Sequence, residues 1–221
     1  MLIEACPNGA LQPGALHLHP KDASGADSLR PADVASVLAA VRAAVPGVPV
    51  GVTTGAWTLP DPDERVAAVR AWTELPDFAS VNWHEDGVDD VVGALLDRGV
   101  QVEAGLWHLA GVAAWQGSPH RDRCLRVLLE LPDGREEAGA EAEAERLLAA
   151  VGKGPPVLLH GEGGSCWPAL GLALRRGLDT RIGLEDVRHL PDGSPAPDNA
   201  ALVRAATAVL SAVRAADRAD G

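Results

Sequence analysis

The sequence predicts an α/β fold of the (β/α)8 TIM-barrel type, short of its first barrel helix, in a single domain over residues 1–221. Short apolar runs alternate with longer helix-forming stretches along the chain, the pattern of β-α units around a parallel sheet. Eight such runs occur, the number of strands that closes a barrel. The unusual polar residues fall at the C-terminal ends of these runs, where barrels of this kind carry their chemistry.

Taken in order, the first strand is expected at Leu2 to Ala5 and the second at Ala15 to His19, with nine residues between them. A parallel crossover takes roughly a dozen residues or more and usually contains a helix, so the helix expected after the first strand is missing. The remaining strands are expected at Pro49 to Thr53, Phe78 to Asn82, Val100 to Ala104, Leu125 to Leu129, Pro156 to His160 and Thr180 to Leu184. Helices are expected at Pro31 to Ala44, Asp61 to Leu75, Gly87 to Arg98, Leu109 to Gln116, Arg135 to Ala150, Cys166 to Arg175 and Pro197 to Ala216. Pro31 and Pro62 stand at early helical positions, where a missing N–H costs nothing, and Gly99, Gly152 and Gly177 stand where a left-handed residue ends a helix. The polar stretch Pro132 to Arg146 is rich in Glu and Ala and reads as a loop running into a solvated helix, not as a linker.

With 19 Lys plus Arg against 31 Asp plus Glu, the chain carries a net charge of −12. Without a basic run, this argues against nucleic acid or an anionic membrane as the main partner, and an anionic ligand must be gripped locally. The apolar stretches are broken by Arg, Asp or Pro well before the roughly 20 residues of a membrane span. The N-terminus lacks a basic region followed by an apolar one, as a secretory signal would have. Cys6, Cys124 and Cys166 form no CxxC or disulfide framework, which suits a reducing, cytoplasmic setting.

His17 and His19 close the second expected strand and share a face, because strand side chains alternate. Two such imidazoles can share a metal ion, and Glu185 as a third ligand would complete a His2Glu set with open positions, a composition usual for catalytic Zn2+. The same spacing suits two core histidines held by hydrogen bonds. Thr53 and Thr54 close the third strand, Ser80 and Asn82 the fourth, Glu103 the fifth and His160 the seventh, while the sixth ends in an apolar run. Arg181, Glu185 and Asp186 frame the end of the eighth. Because adjacent acids point in different directions, one can bind metal while the other pairs with Arg181 or acts as a base; a surface salt bridge is the plainer alternative. The glycines of His160-Gly161-Glu162-Gly163-Gly164 lead into a helix and suit either a phosphate or a tight turn. Trp57, Trp83, Trp107 and Trp167 follow strand ends and suit either a pocket wall or barrel-helix packing.

The stretches Ala-Leu-His-Leu-His-Pro-Lys-Asp (15–22), Pro-Val-Gly-Val-Thr-Thr-Gly-Ala-Trp (49–57), Asp-Phe-Ala-Ser-Val-Asn-Trp-His-Glu (77–85), Val-Glu-Ala-Gly-Leu-Trp (102–107), His-Gly-Glu-Gly (160–163) and Asp-Thr-Arg-Ile-Gly-Leu-Glu-Asp (179–186) together resemble the β-keto acid cleavage enzymes, the family of the 3-keto-5-aminohexanoate cleavage enzyme. The resemblance runs in order from Glu4 to Asn199. It implies a (β/α)8 barrel holding Zn2+ through His17, His19 and Glu185, and a reaction of a β-keto acid with acetyl-CoA that gives acetoacetate and a new CoA thioester. In that scheme Arg181 and Asp186 deprotonate the keto acid with help from Thr53. Thr54, Ser80 and Asn82 belong to the substrate site, and Glu4 and Glu103 match positions that face a distal amino group. Gly161, Gly163 and Gly164 are the candidate grip on CoA. A carboxylate is a weak base, so abstraction by Asp186 leans on a Lewis acid that stabilises the developing enolate.

Two departures from the family stand out. Relatives carry a longer segment, with the first barrel helix, between the motif at Asn8 to Ala10 and the HxH strand. The outer face of the first two strands is therefore expected to be bare or covered by a neighbouring subunit, making a homo-oligomer the expected state. Lys21 stands where many relatives carry Arg. A metal-dependent amidohydrolase-type hydrolase and a non-catalytic, shortened barrel acting as a binding subunit are the competing readings.

Overall fold

In a computed structural model, which describes residues 2–5, 13–134 and 137–219, every expected strand and helix is present, with ends displaced by at most four residues. Contacts gather the chain into two units: a central one of Ala15–Leu128 with Lys153–Pro155, and a terminal one of Met1–Gly14, Leu129–Gly152 and Pro156–Gly221. The fold is α/β, with seven α-helices among the described residues. None of these helices is long and apolar enough to cross a membrane.

The central unit is built on parallel strands. Strand β2 (Pro13–Leu18) pairs with β3 (Val50–Thr53), β3 with β4 (Phe78–Asn82), and β4 with β5 (Gln101–Leu106), each in parallel. Helix α1 (Pro31–Ala44) has Pro at its start and buries Val34 and Leu38, four residues apart on one face. Helix α2 (Pro62–Ala71) is capped by Asp61, whose side chain accepts from the Asp63 N–H, and it buries Arg65, Val66 and Val69. It stops four residues before the expected Leu75. Trp72 leaves helical geometry and is buried with its indole donating to the Leu29 carbonyl at 2.9 Å, a contact worth more than another helical turn running into Pro76. Helices α3 (Val88–Asp97) and α4 (Leu109–Gly117) complete this unit.

Strand β6 (Arg126–Leu131) carries the chain onward, followed in the terminal unit by α5 (Glu137–Val151), β7 (Val157–Gly161), α6 (Cys166–Arg176), β8 (Thr180–Ile182) and α7 (Asn199–Ala219). Gly99, Gly152 and Gly177 all have positive φ, as helix-ending glycines should. Cys166, Leu170 and Leu174 of α6 repeat every fourth residue, as do Leu202, Ala206 and Leu210 of α7, and the two stripes bury Ile182 of β8 in one core.

One feature departs from an all-parallel barrel. Strand β1 (Leu2–Ala5) pairs antiparallel with β8, with Glu4 opposite Arg181. Between β1 and β2 lie residues 6–12, too few for the crossover that would return the chain in the same direction. These seven residues, which include the motif at Asn8 to Ala10, lie outside the described residues, as do Arg135 and Glu136 at the expected start of α5.

Candidate active site

In the central unit, strand register gathers the expected residues. His17 is level with Gly51 and Phe78, and Thr53 with Ser80 and Glu103. Alternation then puts His17, Thr53, Ser80, Asn82 and Glu103 on one face of the sheet and Thr54 on the other. Gly51 is required here, because a Cβ would lie 2.0 Å from the Phe78 ring.

The His17 and His19 rings have centroids 5.5 Å apart and planes 72° apart. Two imidazoles at that separation are compatible in size with two positions of one metal shell. Among the described residues, no group of three or more His, Cys, Asp or Glu is gathered that could hold a metal. The His19 ring stacks on Trp57 with centroids 5.9 Å apart, and its Nδ1 lies 3.6 Å from the Asp27 carboxylate. Asp27 also accepts from the Trp57 indole at 2.9 Å and from Lys21. Burial favours its neutral form, but Lys21 and Trp57 outweigh that and hold its carboxyl below the ordinary range.

The remaining polar residues on this face are engaged by neighbours the sequence did not single out. Glu103 is 0% exposed and pairs with Arg126 Nε at 2.5 Å, and the Arg126 guanidinium lies 5.7 Å from the Phe78 ring. The position implied to face a substrate ammonium thus has a cation of the chain's own. Asn82 donates to Glu85 at 2.9 Å and accepts from the Trp107 indole at 3.1 Å, and Glu85 is held in turn by buried Arg65 at 3.1 Å. Thr53 Oγ1 accepts from the Gly55 N–H at 3.3 Å, and the Thr54 hydroxyl donates to the Ser80 carbonyl at 2.9 Å. Trp83 is a packing residue, only 2% exposed.

The terminal unit holds a buried cluster of charges. The sixth strand does not end in an apolar run: β6 continues to Leu131, which places Glu130 next to its C-terminal end. The bridge between Leu158 and Asp179 sets His160 level with Arg181, two residues further along each strand. His160 is 0% exposed. Its Nε2 faces Glu130 Oε2 at 3.2 Å and its Nδ1 faces Asp186 Oδ2 at 3.5 Å, while Arg181 lies 3.6 Å from the same Glu130 oxygen. Burial and Arg181 both oppose a charge on His160, but the carboxylates of Glu130 and Asp186 prevail and push it up to about 8. Burial likewise favours neutral Glu130, yet His160 and Arg181 hold it down to about 2. Glu162 is pushed up to about 7, by burial and then by the nearby charges of Glu130 and Asp186. Neither Glu130 nor Glu162 is marked by the strand-end pattern; the signal for Glu130 is an acid inside the apolar run Arg-Val-Leu-Leu-Glu-Leu.

Beyond β8 the chain turns, with the Asp186 N–H donating to the Gly183 carbonyl at 3.0 Å. Glu185 and Asp186 line a cleft of about 510 Å3 with Gly163, Gly164, Trp167 and Asp133. The glycine turn holds an anion, but one from the chain itself: the Gly164 N–H donates to Asp133 at 2.8 Å. The Gly163 N–H donates to the Asp186 carbonyl at 2.8 Å. Gly163 has φ +51°, and a Cβ there would lie 2.1 Å from the Asp133 carboxylate. Gly161 approaches the Ser165 backbone so closely that a Cβ would lie 2.7 Å from its carbonyl oxygen. The side chain of Glu4 lies outside the described residues.

A family model described as beta-keto acid cleavage enzyme matches residues 3–216 of the chain. A comparison with curated proteins found no match.

Proposed function

Because the chain belongs to the beta-keto acid cleavage enzyme family, whose members act on β-keto acids, we propose that it joins a β-keto acid to acetyl-CoA and releases acetoacetate and a new acyl-CoA, with a divalent metal, Zn2+, as cofactor. The observation that carries this reading is the buried meeting of His160 with Asp186 and Glu130, and of Glu130 with Arg181, beside a cleft that Glu185 and Asp186 line. His17, His19 and Glu185 would hold the metal, which supplies Lewis-acid stabilisation of enolate charge when bound.

The residues of the chain take the following roles. Asp186 accepts the proton from the carbon between the keto and carboxyl groups, and Arg181 keeps a positive charge beside the nascent enolate. Thr53 presents a hydroxyl on the sheet face shared by Ser80, which seats the substrate with Asn82, whereas Thr54 lies on the opposite face with its hydroxyl on the Ser80 carbonyl. Addition of the enolate to the acetyl thioester, internal transfer of CoA and retro-Claisen cleavage follow. The glycine turn at Gly161, Gly163 and Gly164 can receive a CoA phosphate if Asp133 swings aside. Glu103 pairs with Arg126, so a cationic substrate tail falls to Glu4. This reading takes residues 1–221 as one (β/α)8 barrel domain that lacks its first helix and works as a homo-oligomer.

The test is the metal content of the purified protein, followed by acetyl-CoA-dependent acetoacetate release from a panel of β-keto acids. The expected result is about one divalent ion per chain and turnover of at least one keto acid. Glu185→Gln is expected to lose metal and activity together. Metal-free wild-type protein without turnover would reject the reading, and full activity in Glu185→Gln would reject the ligand set.

A further inference from the structure

Asp186 stands in a turn, not in a strand, so little in its own local structure aims its side chain. Two neighbours from the β7 segment grip it. The Gly163 N–H donates to its main-chain carbonyl at 2.8 Å. His160 Nδ1 faces its carboxylate at 3.5 Å. His160 is itself well fixed, being fully buried on a paired strand with Nε2 against Glu130 at 3.2 Å. A protonated imidazole between two carboxylates presents an N–H to each and orients the group it faces.

We propose that His160, anchored by Glu130, is the positioning residue that aims the Asp186 carboxylate at the substrate carbon. This rests on the reading of Asp186 as the base. His160 does not touch substrate in this arrangement. It acts through Asp186 and moves no proton of its own, so substrate affinity should survive its replacement while the rate of proton abstraction should not. A raised titration of the imidazole, sustained by the two acids, keeps a proton on the ring that faces Asp186.

The two ring nitrogens have different jobs, and two substitutions separate them. Asn places its amide near the Nδ1 position, so His160→Asn keeps a donor toward Asp186 and gives up the contact to Glu130. Gln reaches the Nε2 position, so His160→Gln keeps the Glu130 side and gives up Asp186. With the keto acid the wild type turns over fastest, His160→Gln is expected to lower kcat about 30-fold or more with KM within about twofold. His160→Asn is expected to stay within about fivefold of wild-type kcat. If both variants lose kcat alike, or if only KM and Tm move, the positioning role is overturned. Should neither variant fold, Glu130→Gln reads the same contact from its far end: a kcat about tenfold lower at constant KM supports the proposal, and wild-type kcat overturns it. Asp186→Asn separates the two ideas. Wild-type turnover in that variant overturns the base assignment and this proposal with it, whereas an inactive Asp186→Asn beside equally impaired histidine variants overturns the positioning alone.

Discussion

Buried charges are arranged in pairs in the central unit, Glu103 with Arg126 and Arg65 with Glu85. In the terminal unit they are shared: Glu130 serves both His160 and Arg181, and His160 lies between two acids. A pair cancels its own charge and locks two elements together, whereas a shared cluster keeps groups that titrate near neutral pH, His160 at about 8 and Glu162 at about 7. Perturbed titration of this kind gathers at functional sites, although structural ion networks produce it too. Under the proposed function the first region is scaffold and the second carries the proton chemistry.

The largest effect expected from that contrast is on turnover. Asp186→Asn should lower kcat by roughly 10³-fold while costing less folding free energy than the loss of Arg126 does, measured by acetoacetate release beside urea unfolding. An equal loss of stability would make the cluster structural, like the pairs.

The pairs should respond in the opposite way. Arg126→Met leaves Glu103 buried without its cation and should cost about 3–5 kcal/mol of folding free energy, read from urea midpoints. A stable but inactive variant would move Arg126 from scaffold to site.

Dependence on pH sharpens the comparison further. His160 titrates higher in the folded chain than its ordinary 6.5, so its contribution is complete below about 6.5 and is lost as pH rises through about 8. Glu130 is held below its ordinary 4.5, so its contribution is present above about 4.5 and is lost as pH falls toward about 2. Between pH 6 and pH 9 the wild type should lose on the order of 1–2 kcal/mol more stability than His160→Gln. Parallel profiles for the two proteins would remove the shared charge from the account.

The smallest effect concerns the glycine turn. Gly163→Ala imposes positive φ on a side chain that also meets Asp133, and should cost about 1 kcal/mol or slightly more. Adding Asp133→Ala should recover part of this loss. No recovery would show that the backbone angle alone sets the cost.

Much of the frame was legible because its signals are local. Helix α1 runs from Pro31 to Ala44 as expected, since proline marks its start and the apolar residues repeat with helical period. Strand β4 matches to the residue. HxH alternation put His17 and His19 on one face without reference to any other strand. Glu130 was hidden because one acid among leucines looks like the end of a strand, and its value depends on His160, thirty residues later. The Glu103 partner escaped for the same reason: Arg126 lies 23 residues away, on a different strand. The antiparallel entry of β1 follows from a link length the sequence displayed, but the partner it pairs with does not.

By itself the sequence determined the order of strands and helices and the family, because propensity, periodicity and motif spacing all act over a few neighbours. Tertiary structure decided which charges cancel and which are shared. Burial turns the closeness of Glu130, His160 and Arg181 into a choice of protonation state for Glu130 and His160, and no spacing along the chain encodes a distance across strands.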